Sequence, residues 1–139
     1  MDNDSKLAII LLEALASFNS SLIDLAQSLQ LKPEVIQVRN NLECRKYRTG
    51  TLIEGYVEAE LRNDKSLCWW IEIRWNGDWI IDARILLNDS EGQETIYKFQ
   101  DRSTPNFDKF LTNLNDITQE LVQFNAFGLS AVDDEKKSL

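Results

Sequence analysis

The sequence predicts an α+β fold, a five-stranded antiparallel meander with an N-terminal and a C-terminal helix packed on one face. Three observations predict it. Apolar residues alternate with period two from Leu67 to Leu87, polar connections separate several segments of this kind, and both ends of the chain space apolar residues by three and four. A length of 139 residues suits one domain with a two-layer core, and a composition of 43% hydrophobic and 27% charged residues is that of an ordinary globular protein. Residues 1–132 read as that domain and 133–139 as a disordered tail.

From Ser5 to about Leu31, Leu7, Leu11, Leu15, Phe18, Leu22, Leu25 and Leu29 recur at helical spacing, and Ala8, Ile10, Ala14 and Ala26 widen the stripe. Ser21 followed by Asp24 has the spacing of a capping box. A break or bend near Asn19 is therefore favoured over one continuous rod. The stripe is expected to pack on the sheet, with a dimer seam as the alternative.

Two periods compete in Glu34 to Arg48. With period two, Ile36, Val38, Leu42 and Cys44 share one face and Gln37, Arg39, Asn41, Glu43 and Arg45 the other, which describes a strand. With helical period, Val35, Val38 and Leu42 align behind Pro33 at the first helical position. The strand is the favoured reading. The helical one has functional content, because Leu22 to Leu42 (LIDLAQSLQLKPEVIQVRNNL) then resembles the helix-turn-helix of bacterial DNA-binding regulators. Leu25, Ala26, Leu29 and Leu31 fall at that family's packing positions, and the resemblance implies a recognition helix from Pro33 to Leu42.

After the turn at Tyr47 to Gly50, Ile53, Val57, Ala59 and Leu61 alternate with Glu54, Tyr56, Glu58 and Glu60. The central hairpin follows a polar loop, Arg62 to Ser66. Its odd-numbered residues, Leu67, Trp69, Ile71, Ile73 and Trp75, then Trp79, Ile81, Ala83, Ile85 and Leu87, form one continuous apolar face. A two-residue turn at Asn76-Gly77 would mix apolar and charged groups on both faces, since a slip of one residue carries every side chain across the sheet. A three-residue loop, Trp75-Asn76-Gly77, pairs Ile73 with Trp79 and keeps the face intact. Asn88 to Gly92 leads to a fifth strand with Thr95, Tyr97 and Phe99 inward. Thr104-Pro105 reads as a helix N-cap and first turn, Phe107, Phe110, Leu114, Ile117, Leu121 and Phe124 as the buried stripe, and Gly128 as the C-cap.

Net charge is −8, and residues 1–50 carry six basic and six acidic groups, so the whole acidic excess lies in 51–139. Such a surface repels nucleic acid and anionic membrane. No apolar run approaches the roughly 20 residues of a membrane span, and the first residues are acidic where a signal peptide is basic. No membrane association is expected, and a cytoplasmic location follows. The two cysteines, Cys44 and Cys68, fall inside strands, where buried reduced thiols are expected. Without histidine the chain lacks the commonest general base and zinc ligand.

The outer face of the predicted sheet carries Tyr56, Trp70, Ile80, Leu86 and Ile96 among charges that include Arg39, Glu54 and Glu60. In the chosen register Glu58 lies beside Trp70, Tyr56 beside Glu72, and Arg39 opposite Glu58. Aromatic residues ringed by charge are what the centre of a protein interface looks like. Trp70, Tyr56, Glu58, Glu72, Arg74, Asp82 and Arg84 are therefore the candidate partner-binding residues. Glu72 and Asp82 have the form of an acid–base pair, but an acidic sheet offers such pairs routinely. Asn88 to Glu94 is the best calcium loop, yet it misses the EF-hand spacing and reads as a polar turn. No catalytic residue, metal or cofactor is assigned. The leading expectation is a small non-enzymatic adaptor or regulatory protein that binds another protein, with a basic one favoured. The alternative is a DNA-binding regulator reading through Pro33 to Leu42.

Overall fold

A computed structural model describes residues 3–128 of the chain. The elements are α1 (Asn3–Gln30), β1 (Val35–Tyr47), β2 (Gly50–Leu61), β3 (Ser66–Trp75), β4 (Trp79–Asp89), β5 (Gly92–Thr104), α2 (Phe107–Gln123) and a 3-10 turn at Ala126–Gly128. The strands lie in chain order in one sheet, each antiparallel to the next. α1 lies against β1 and β2, α2 against β4 and β5, and the helices touch each other. This is the α+β meander that the alternating sequence predicts. Residues 133–139, expected as a tail, lie outside the described residues.

The core fills the space between the helices and the odd-numbered face of the three central strands. Val57, Ala59 and Leu61 from β2, Leu67, Trp69, Ile71 and Ile73 from β3, and Ile81, Ala83, Ile85 and Leu87 from β4 are all buried. Phe18, Leu22 and Leu29 of α1 and Phe110, Leu114, Ile117 and Leu121 of α2 close over them. Each large side chain withdrawn from water contributes roughly 1.5–3 kcal/mol. Gly55 sits beneath α1, where an added Cβ would come within 2.9 Å of Leu22 Cδ1 and 3.0 Å of Phe18 Cζ. The missing side chain lets the helix seat its two largest anchors on the sheet.

The hairpin faces are as the alternation requires, but two registers slide by two residues. The β3–β4 loop is three residues long, as parity demands, and consists of Asn76, Gly77 and Asp78. Trp75 therefore pairs with Trp79, and Ile73 with Ile81 rather than with Trp79. Gly77 takes a φ of 111°, which an L side chain rarely adopts, and the two tryptophan rings meet at 6.0 Å. Across β2–β3, Tyr56 faces Trp70 and Glu58 faces Cys68, correcting the expected Tyr56–Glu72 and Glu58–Trp70 neighbours. A two-residue slide leaves every side chain on its face, so hydrophobic patterning cannot detect it. Arg39 does face Glu58.

Other local expectations are corrected by identifiable causes. α1 is unbroken at Asn19, and Ser21 Oγ donates to the Ser17 carbonyl at 3.2 Å instead of capping a new helix. Val35–Tyr47 is strand, not helix, so the chain has no recognition helix at Pro33 to Leu42. A bulge between Val35 and Gln37 buries Val35 and exposes Ile36. Cys44 is exposed rather than buried, because β1 is an edge strand.

Two irregularities between β4 and β5 reverse side-chain parity twice. Thr95 pairs with Leu86 and faces away from the core, whereas Ile96, expected outside, packs against the core. Arg102 is turned toward α2, where it donates to Asn113 Oδ1 at 3.4 Å. α2 is capped by Asn106, whose side chain accepts from Lys109 N at 2.9 Å, while Thr104 accepts from Asn106 N. The helix ends at Gln123 with Phe124 as its C-cap, four residues before the expected Gly128. Within Ser5–Gln30, α1 is also long and apolar enough to cross a membrane by length and composition, an 18-residue window of it reaching a mean hydropathy of 1.5. A search for uninterrupted apolar runs misses this.

Overpacking at the α1–sheet contact is directly measurable. Gly55→Val is expected to lower the unfolding free energy in urea by about 1–3 kcal/mol. An unchanged midpoint would mean that α1 is not held against β2 at this point.

Candidate functional site

The even-numbered residues of β2, β3 and β4 project from the face opposite the helices. The polar connections keep these strands in phase, so the even residues line up in rows across the sheet. One row runs Tyr56–Trp70–Arg84 and the next Glu58–Cys68–Leu86. Together with Arg39, Asn88 and Gln93 they line an open trough of about 590 Å³. Tyr56, Trp70 and Leu86 are half-buried within the chain and supply its apolar floor.

All seven candidate residues lie on this face. Tyr56, Glu58, Trp70 and Arg84 line the trough, and Glu72, Arg74 and Asp82 sit beside it toward the β3–β4 turn. Patterning also placed Arg39 and Leu86 on this face. It missed Asn88 and Gln93, taken as loop, which pair across β4–β5 with Gln93 Nε2 donating to Asn88 Oδ1 at 2.9 Å. Continuing the even parity of β4 one step past Leu86 would have found Asn88.

The charges around the trough are arranged as pairs. Arg39 donates to Glu58 across β1–β2, Arg74 meets Glu72 at 2.9 Å, and Arg84 meets Asp82 at 3.2 Å. The last two are pairs of residues two apart on one strand. They matter because Glu43, Glu54, Glu72 and Asp82 lie directly opposite one another on four successive strands. Like charges in register repel, and the arginines offset that repulsion. The offset is incomplete at Glu72. Burial pushes its carboxyl above the ordinary value, Arg74 pulls it back, and Glu54 and Asp82 on either side push it up again. Asp101 on β5 is raised by burial and by its hydrogen bond to Asp82.

Cys68 lies in the floor of the trough. Burial, with the charges of Glu58 and Glu54, pushes its thiol up to about 12. A thiol so far above neutrality carries almost no thiolate and is not an activated nucleophile. Among the described residues, no three of His, Cys, Asp and Glu are grouped to hold a metal ion. In the Asn88–Glu94 segment, Asp89 Oδ1 instead accepts from the backbone N–H groups of Glu91 and Gly92 and closes a tight turn. What the face offers is shape, apolar surface and paired charge. No known protein family, curated protein or solved structure matches the chain.

Two measurements follow from these environments. At pH 8 iodoacetamide should modify exposed Cys44 in the folded protein much faster than half-buried Cys68, whose thiol carries little thiolate. Equal rates at the two thiols would contradict this difference in environment. For Glu72, a carboxyl harder to ionise in the fold stabilises it while protonated, below the ordinary value of 4.5, and that contribution is lost as pH rises through the raised value. Glu72→Gln should therefore gain stability relative to wild type between pH 4 and pH 7, measured by urea unfolding. A constant difference over that range would show that Glu72 titrates as it does in the unfolded chain.

Proposed function

We propose that this chain is a non-enzymatic protein-binding module of the cytoplasm, an adaptor or regulator, and that the trough on the open sheet face is its docking surface. The observation that carries the reading is the direct opposition of Tyr56 and Trp70 at the centre of a concave apolar floor, on the face that neither helix covers. Large aromatic side chains in a depression, ringed by polar groups that exclude water, have the composition of interface hot spots.

The trough is lined by arginine and glutamate already engaged with partners inside the chain, so a ligand need not neutralise an isolated charge. The incompletely offset carboxylates, Glu72 and Asp101, border the same face and favour a basic partner. The alternative of DNA recognition loses its reading element, because Val35 to Leu42 belongs to an edge strand.

The test is capture of partners on immobilised wild-type protein beside Trp70→Ala and Tyr56→Ala, with Glu120→Ala on the helix side as control. Loss of a hot-spot anchor costs about 2 kcal/mol or more, roughly a thirtyfold fall in affinity. Both trough variants should lose the partner that wild type and Glu120→Ala retain, and all should keep the wild-type circular dichroism. A partner retained equally by all four proteins would overturn the reading.

A further inference from the structure

The N-terminal half of α1 carries more hydrocarbon than the sheet covers. Leu7 is 45% exposed, Ile9 42%, Ile10 43% and Leu12 65%, and the first buried residue of the helix is Phe18. Successive residues turn by about 100°, so these four point to different sides. Leu7 continues the stripe that Phe18, Leu22 and Leu29 bury further along, whereas Ile9 and Ile10 point away from it. A helix that is apolar all round is one that is enclosed. Here the described residues enclose one side of it.

The charges on this segment indicate what encloses the other. Between Ser5 and Ile23 the only charged residues are Lys6 and Glu13, of opposite sign. They are seven positions apart, hence on one face two turns apart, and they bracket Ile9 and Ile10 on that same outward side. A second α1 running antiparallel about the midpoint of Ile9 and Ile10 sets Lys6 of each chain against Glu13 of the other, and Ile9 against Ile10. The parallel arrangement sets like charges together. We propose that a second copy of this chain docks on the Lys6–Glu13 face of α1 through this two-fold, self-complementary contact. The contact spans two helical turns, less than the roughly 1,200 Å² of a standard interface, so the dimer forms and dissociates with concentration. A lipid surface is a poorer occupant. The face offers one lysine, the chain is acidic overall, and Phe18, Leu22 and Leu29 of the same helix already lie in the core.

Charge exchange tests the geometry without touching a buried residue. In sedimentation velocity over a wide concentration range, wild type should show a monomer–dimer equilibrium. Lys6→Glu and Glu13→Lys should each weaken it by about tenfold, since each turns two attractive contacts into repulsive ones. The double variant K6E/E13K should recover wild-type dimerisation, and an equimolar mixture of the two single variants should form a heterodimer. A wild type that stays monomeric throughout overturns the proposal. So does a double variant no better than the singles, or flotation of monomeric wild type with phosphatidylcholine vesicles.

Discussion

Burial of the odd-numbered side chains of β2, β3 and β4 is the constraint on which the rest depends. Once Val57, Trp69, Ile71, Ile81 and Ile85 are withdrawn from water, every connection between those strands must preserve parity, and every even-numbered neighbour is delivered to the opposite face. The open face is thus a consequence of the core. Tyr56, Trp70 and Arg84 stand in one row because Val57, Trp69 and Ile85 stand in the adjoining one. The helices enter as the cover that this arrangement requires. Gly55 shows how closely they fit, since the sheet gives up a side chain where Phe18 and Leu22 press on it.

The open face holds opposing electrostatic tendencies in balance. Aligning Glu43, Glu54, Glu72 and Asp82 across four strands costs repulsion, and placing arginine two residues away on the same strands recovers part of it. Burial, joined by the repulsion that remains from Glu54 and Asp82, leaves Glu72 harder to ionise. The same neighbourhood, with burial, holds Cys68 as a thiol. A surface of this kind keeps its polar groups ordered before any ligand arrives. Pre-ordering lowers the cost of association.

Much of this was legible in the sequence, for reasons that also mark where legibility stopped. The five strands, both helices and the face of every candidate residue follow from periodicity, because burial energy enforces parity. Register does not follow. Tyr56 opposite Trp70 differs from Tyr56 opposite Glu72 by a slide of two, to which alternation is blind. Bulges are also invisible to it, so alternation alone puts Ile36 and Thr95 inward and Ile96 outward. Local signals misled where a competing bond existed, as at Ser21, whose hydroxyl serves the Ser17 carbonyl. Pro105 correctly announced α2, but Asn106 rather than Thr104 provides its cap. Exposure of Cys44 and of the first turns of α1 depends on where cover ends, which is a property of the assembled layers.

β1 is a thirteen-residue edge strand, and a long free edge beside an open apolar face is a template on which another sheet can grow. The bulge at Val35–Gln37 interrupts the ladder near one end, and Arg39, Glu43, Arg45 and Lys46 place ionic groups along the rest. Adding a strand there would strip water from those charges. The fold can therefore display aromatic surface on its broad side while the charged rim at β1 discourages strand addition along that edge.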